Sequence, residues 1–260
     1  YNGGINNMNI IDFHTHPFIN NKHNSCFYSD MVTNSNFKDI LNKAGIDHIC
    51  GSVIYKTNNF DEIKKLNSEA LELKEIWGDF YTPGIHIHPY YIEESIDELK
   101  IMSARGVKLV GELVPYYNGW EKYYDTNIHI LYEEIDKLNM IVSLHTDNNT
   151  DMKILEEAVK TFKNIKFIAA HPNQKELYET HIRLLNKYDN YFLDLSGTGL
   201  FRFGMLKNLV NKTSSEKIIF GTDFPICNPK MYVEAVLFEN LKSCDLDNIL
   251  YKNAENLLNK

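Results

Sequence analysis

Two histidines one residue apart, His14 and His16 in Asp12-Phe13-His14-Thr15-His16-Pro17, follow directly on the apolar pair Ile10-Ile11. Side chains two apart on a strand leave from the same face, so the pair reads as two imidazoles projecting from a strand end with Asp12 beneath them. That is half of a transition-metal site. Four further apolar runs reach a residue able to bind a metal or move a proton: Glu112 in Val107–Leu113, His145 after Met140, His171 after Ile165 and Asp223 after Lys217. The stretches before three of them, Ile-Val-Ser-Leu, Phe-Ile-Ala-Ala and Ile-Ile-Phe-Gly-Thr, are too apolar to carry an imidazole or a carboxylate without a use for it. Imidazoles with carboxylates suit Zn2+ or another divalent transition metal, and these donors suffice for one or two ions.

Such residues must be brought together by a regular frame. Eight short apolar runs recur: Ile10–His14, His48–Ile54, Tyr81–Ile87, Val107–Leu113, Met140–His145, Ile165–His171, Tyr191–Leu195 and Lys217–Asp223. Between them lie segments with apolar residues at helical spacing, such as Ile63-Leu66-Ala70-Leu73 and Ile154-Leu155-Ala158-Val159. Gly45, Gly78 and Gly106 stand where a helix ends before the chain turns into the next strand. Strand–helix alternation implies parallel β-α-β units, and eight of them imply an α/β fold of the closed (β/α)8 TIM-barrel type. An open doubly wound sheet would usually carry a Gly-rich phosphate loop after its first strand, where this chain has His-Thr-His-Pro. In a closed barrel, function gathers at the C-terminal strand ends, where His14, His16, Glu112, His145, His171 and Asp223 all fall.

The 260 residues suit one domain spanning 1–260, with the polar, Gly/Asn-rich stretch 1–9 expected to be a frayed N-terminus. A net charge of −8 argues against a broad grip on nucleic acid, and no run approaches the roughly 18 apolar residues of a membrane span. The expected partner is a small-molecule substrate, and a homo-oligomer is compatible with the composition. Cys26, Cys50, Cys227 and Cys244 form no Cys-x-x-Cys pair, which reads as reduced thiols and, with no signal-peptide pattern, as a cytoplasmic protein.

Asp-Phe-His-Thr-His-Pro, Leu-His-Thr-Asp, Ala-His-Pro, Gly-Thr-Asp-Phe-Pro (221–225) and the terminal run 249–258 together resemble the signature of the amidohydrolase superfamily. They look most like its branch of small amidohydrolase-related metal-dependent hydrolases, which also contains metal-dependent decarboxylases. The resemblance implies metal ligation by His14, His16 and His145, with Asp223 as ligand or general base. It also implies that His171 relays protons and polarises substrate. Glu112 stands either as a metal ligand or as a carboxylate hydrogen-bonded to a ligand histidine. The leading expected chemistry is hydrolysis of an amide, ester or lactone by a metal-activated water. The alternative is nonoxidative decarboxylation of an aromatic or unsaturated acid. Phosphodiester hydrolysis and a non-catalytic barrel are further rivals.

Around these residues, period-two alternation groups Lys108 with Val110 and Glu112, and Lys108 reads as an ion-pair partner inside the barrel. His86-Ile87-His88 is a second His-x-His, with His88 as a pocket wall and His86 structural. Tyr116, Tyr117 and Trp120 suit a lid or wall above the site, and Tyr116 and Tyr117 are candidate substrate contacts. The polar stretch Asn20–Asn36 is a second candidate lid. Arg202 could grip a substrate carboxylate. Asp194 and Ser196 could line the pocket, with capping of their turn the favoured reading, and His23, His48, His129 and His181 read as surface or cap residues.

Overall fold

The computed structural model describes residues 9–173 and 175–259, so all but Asn9 of the stretch expected to fray lies outside the described residues. Eight parallel strands run in chain order around one sheet: β1 (Ile11–Thr15), β2 (His48–Gly51), β3 (Tyr81–Ile85), β4 (Leu109–Leu113), β5 (Ile141–His145), β6 (Phe167–Ala170), β7 (Tyr191–Asp194) and β8 (Ile218–Ile219). The sheet closes where Phe13 N–H donates to the Phe220 carbonyl at 2.9 Å, Asp223 N–H to that of His14 at 2.8 Å and His16 N–H to that of Phe224 at 2.8 Å. The fold is therefore a (β/α)8 barrel, as the alternation predicts.

Its helices are α1 (Asn34–Ala44), α2 (Phe60–Trp77), α3 (Ile92–Ala104), α4 (Pro115–Asn118), α5 (Thr126–Lys137), α6 (Asn149–Thr161), α7 (Lys175–Lys187), α8 (Met205–Lys212), α9 (Pro229–Phe238), α10 (Ser243–Asp247) and α11 (Asn253–Asn259). Side-chain caps begin several of them, as Asn59 does for α2, Asp125 for α5 and Asn148 for α6. The C-terminal stop of α1 is Gly45 at φ 90°, in the left-handed region that favours glycine. No helix among the described residues is long and apolar enough to cross a membrane.

Two cores result. The larger lies between strands and helices and includes Ile10, Val110, Leu113, Leu193 and Ile218. The smaller fills the barrel with Ile11, Phe13, Cys50, Leu109, Ile141, Ile168 and Ile219, joined by Ala254 and Leu257 of α11. Neighbouring residues of one strand divide between the two cores, as side-chain alternation requires.

That alternation breaks twice, on the two strands that matter most. The register of β1 against β2 slips between Asp12 and Thr15, and that of β4 against β5 slips between Val110 and Leu113. An extra residue on one strand turns the following side chain to the opposite face. On β4, Val110 and Leu113 both face the outer core, three residues apart, and Glu112 turns into the barrel mouth. Lys108, Val110 and Glu112 thus share no face. Nor does Lys108 make an ion pair among the described residues: its ammonium donates to the Leu258 carbonyl at 2.7 Å. On β1 the slip lets both Phe13 and His14 point inward.

Candidate metal centre and active site

Asp12 is buried yet does not join the imidazoles it precedes. Its carboxylate accepts from the amides of His14 (3.1 Å) and Thr222 (3.0 Å) and from the Thr222 hydroxyl (2.5 Å), stitching β1 to the chain beyond β8. Burial pushes its carboxyl up to about 7, against the lowering effect of those bonds. Asp12 therefore holds the two strand ends that deliver His14, His16 and Asp223.

Glu112 sits at the hub. Its Oε2 lies 3.2 Å from His14 Nε2 and 3.4 Å from His16 Nε2, while its Oε1 lies 3.0 Å from His145 Nδ1 and 3.5 Å from His171 Nε2. Asp223 Oδ1 completes the Oε2 side, 3.3 Å from His16 Nε2 and 3.7 Å from His14 Nε2. The far nitrogens are fixed from behind. His16 Nδ1 meets the Ser52 carbonyl at 3.2 Å and His14 Nδ1 meets Asp194 Oδ2 at 3.0 Å. A carbonyl and a carboxylate only accept, so each ring carries a proton on Nδ1, and Nε2 is the nitrogen left to face the hub and to ligate an ion.

Burial costs these groups their charge, and their neighbours restore it. Burial lowers His16, but Asp223 and Glu112 bring it to about 9. Burial likewise lowers His14, yet Glu112 and Asp194 hold it well above the ordinary imidazole value. Burial raises Glu112, but the adjoining imidazoles keep it well below the carboxylate range. Among the described residues no lysine or arginine pairs with Glu112, Asp194 or Asp223. Among the described residues these buried carboxylates have imidazoles as their only ion-pair partners, an electrostatic demand that a divalent cation meets directly.

The donor set fits such an ion. His14, His16 and Asp223 each offer an atom within 4.8 Å of the others, as do His14, Glu112 and His171. His14 Nε2 is buried and has no hydrogen-bond partner among the described residues. The two clusters share His14 and can chelate one or two divalent ions. His171 (φ 71°) and Asp223 (φ 67°) both occupy the left-handed backbone region, a conformation costing about 1–3 kcal/mol each that persists where the surroundings dictate it.

The structure brings His14, His16, Glu112, His145, His171 and Asp223 together. Tyr116 stands above them, half exposed, with its ring 5.4 Å from that of His145, and Tyr117 packs edge-on to Tyr116. His88 is placed differently from a pocket wall: it is buried, its Nε2 meets the Asn118 carbonyl at 2.8 Å and its Nδ1 accepts from the Tyr90 amide at 3.2 Å. Both ring nitrogens are spent on backbone. Trp120 is also buried, and Arg202 is exposed with its guanidinium 4.7 Å above the Phe201 ring. His23 and His181 are core residues, bonded at 2.7 Å to Glu69 and to the Tyr191 hydroxyl.

Asp194 and Ser196, for which capping is the favoured sequence reading, also reach the imidazoles of the site. Asp194 holds His14, and Ser196 Oγ lies 3.0 Å from both His14 Nδ1 and His171 Nδ1. The signal that could have found them is the apolar Tyr-Phe-Leu ending in Asp-Leu-Ser, the same strand-end pattern that marks the other site residues.

A family model described as amidohydrolase matches residues 11–260. The chain belongs to the amidohydrolase family. Among solved structures, 2,6-dihydroxybenzoate decarboxylase from Rhizobium superimposes with a TM-score of 0.77 at 13% identity, covering 97% of this chain and 99% of that one. A 5-carboxyvanillate decarboxylase from Novosphingobium aromaticivorans, with bound manganese, reaches 0.75 at 11% identity over 99% of both chains. A probable 2-pyrone-4,6-dicarboxylic acid hydrolase from Acinetobacter baumannii reaches 0.71 at 17% identity over 97% of this amidohydrolase and 100% of that chain. No curated protein matches in sequence. At these identities the likeness shows the fold alone.

Proposed function

We propose that this amidohydrolase-family enzyme is a metal-dependent nonoxidative decarboxylase of an aromatic or unsaturated monocarboxylic acid. The observation that carries the reading is the hub: four imidazoles and two carboxylates at one barrel mouth, with no arginine among them. The chain has only three arginines. Arg105 closes α3, Arg183 pairs with Glu156 and Arg202 stacks on Phe201. A dicarboxylate such as the hydrolase relative's substrate would therefore find no guanidinium fork here. The 2,6-dihydroxybenzoate decarboxylase of similar fold lends further support, because its named substrate carries a single carboxylate on a hydroxylated ring.

His14, His16 and Asp223 would hold the ion, with Glu112 and His145 completing its surroundings. The bound ion would supply a positive anchor for the substrate's oxygens. The chain's own residues do the rest. Tyr116 offers an aromatic wall beside His145. His171, as imidazolium, delivers the Nε2 proton to the ring carbon that bears the carboxylate. The C–C bond then breaks, carbon dioxide departs and the new C–H bond keeps the donated proton. Burial of the hub keeps bulk water from the reacting carbon.

The test is turnover of hydroxybenzoates and related acids by the Mn2+- or Zn2+-loaded enzyme in D2O. The expected result is carbon dioxide together with one deuterium at the vacated carbon. Hydrolysis of a lactone, ester or amide without carbon dioxide release would overturn the reading in favour of metal-assisted hydrolysis.

A further inference from the structure

We propose that Ser196, oriented by Asp194, is the positioning residue that fixes which nitrogen of His171 carries the proton, so that His171 gives and takes protons only at Nε2. The inference rests on His171 being the proton-moving group proposed above. It is carried by the hydrogen-bond bookkeeping at the end of β7.

Asp194 divides its two oxygens. Oδ2 meets His14 Nδ1 at 3.0 Å, while Oδ1 accepts the Ser196 amide at 2.9 Å and the Ser196 hydroxyl. A carboxylate has no proton to give, so the hydroxyl hydrogen of Ser196 points at Asp194. Ser196 Oγ then has only lone pairs left for its other neighbours, His14 Nδ1 and His171 Nδ1, each 3.0 Å away. Both rings must approach it with an N–H. For neutral His171 this leaves Nε2 bare, 3.2 Å from His145 Nδ1 and 3.5 Å from Glu112 Oε1.

The backbone holds the ring in that pose. Gly197, at φ +59°, lies against the imidazole, and a Cβ there would fall 2.3 Å from His171 Nδ1. Gly221 leaves the same kind of room on the other side: a Cβ would meet His14 Cβ at 2.9 Å and Asp194 Oδ1 at 3.3 Å. One carboxylate thus orients an ion-facing imidazole directly and a proton-moving imidazole through a hydroxyl. During turnover the imidazolium loses its Nε2 proton to substrate carbon, returns to the Nδ1–H form and regains a proton at Nε2 from solvent.

The experiment is two-bond 1H–15N correlation of the histidine rings in 15N-labelled, Zn2+-loaded protein at alkaline pH, with His171 assigned from the spectrum of His171→Gln. The expected wild-type result is the Nδ1–H form. Ser196→Ala should populate the Nε2–H form and lower kcat about 10- to 100-fold, while KM and zinc content change less than about twofold. Ser196→Thr, which keeps the hydroxyl, should restore the wild-type form. Asp194→Asn should disturb both His14 and His171 and lower zinc content as well. An Nε2–H His171 in the wild type, or an unchanged form in folded Ser196→Ala, overturns the proposal. If Ser196→Ala fails to fold, the wild-type spectrum alone decides. A correct tautomer together with no carbon dioxide from any acid would remove the proposed reaction and leave this inference standing.

Discussion

The chain contains two His-x-His pairs at strand ends, His14/His16 and His86/His88, and the fold uses them in opposite ways. The first pair turns both Nε2 atoms toward Glu112 and Asp223. The second turns them into backbone: His86 Nε2 meets the Val53 carbonyl at 2.9 Å and His88 Nε2 meets that of Asn118 at 2.8 Å. Each pair has a buried carboxylate nearby. Glu112 contacts imidazoles, whereas Glu98 accepts from Asn67, which clamps the His86 backbone through its carbonyl and amide. Burial depresses His86 to about 4, the Val53 carbonyl opposing it, while carboxylates bring His16 to about 9. The spacing of two histidines therefore does not make a metal site. What the opposite strands place in front of them does.

The largest effect that separates the two regions is expected from their carboxylates. Glu112→Gln removes the charge shared by both sides of the hub and should weaken metal binding at least ~100-fold, with activity falling in step. Glu98→Gln should leave metal content and turnover intact and cost about 1–2 kcal/mol of stability. Isothermal titration with Zn2+ and chemical denaturation read the two outcomes, and equal metal affinity in both variants would erase the distinction.

The pairs should also carry opposite pH signatures. The unfolded chain protonates His86 near 6.5 and the fold only near 4, so the unfolded state binds the extra proton in between. That contribution lowers stability by about 3 kcal/mol as pH falls from 6.5 to 4, and His86→Gln should lack it. In metal-free protein His16 has the reverse sign. Its folded value of about 9 lies above the unfolded 6.5, so its stabilisation is full below 6.5 and is lost as pH rises through 9. Denaturation midpoints across pH for wild type, His86→Gln and His16→Gln test both slopes. The smallest effect is expected outside both regions: Arg202→Ala should change stability by less than about 0.5 kcal/mol and leave KM for an arene carboxylate unchanged.

Much of this was legible in the sequence, for identifiable reasons. The barrel follows from apolar runs alternating with helical spacing, and the six hub residues follow from polar side chains ending those runs. The register slips were not legible. Period-two counting puts Glu112 on one face with Val110, and only pairing against β5 reveals the extra residue that separates them. Nor does a sequence disclose which nitrogen of a histidine finds a carbonyl. His88 looks as available as His16 until the Asn118 carbonyl and Tyr90 amide are seen to occupy it. Asp194 and Ser196 hide for a related reason, because their role depends on two rings more than 20 residues away in the chain.

The most direct test of the central claim is metal content per chain, by elemental analysis of wild type, His16→Ala and His86→Gln purified side by side and exposed to Zn2+ or Mn2+. One or two ions per chain are expected in wild type and in His86→Gln, and a loss of most of that metal in folded His16→Ala. Full occupancy in His16→Ala, or an emptied site in folded His86→Gln, would contradict the assignment of the centre to the mouth formed by β1, β4 and β8.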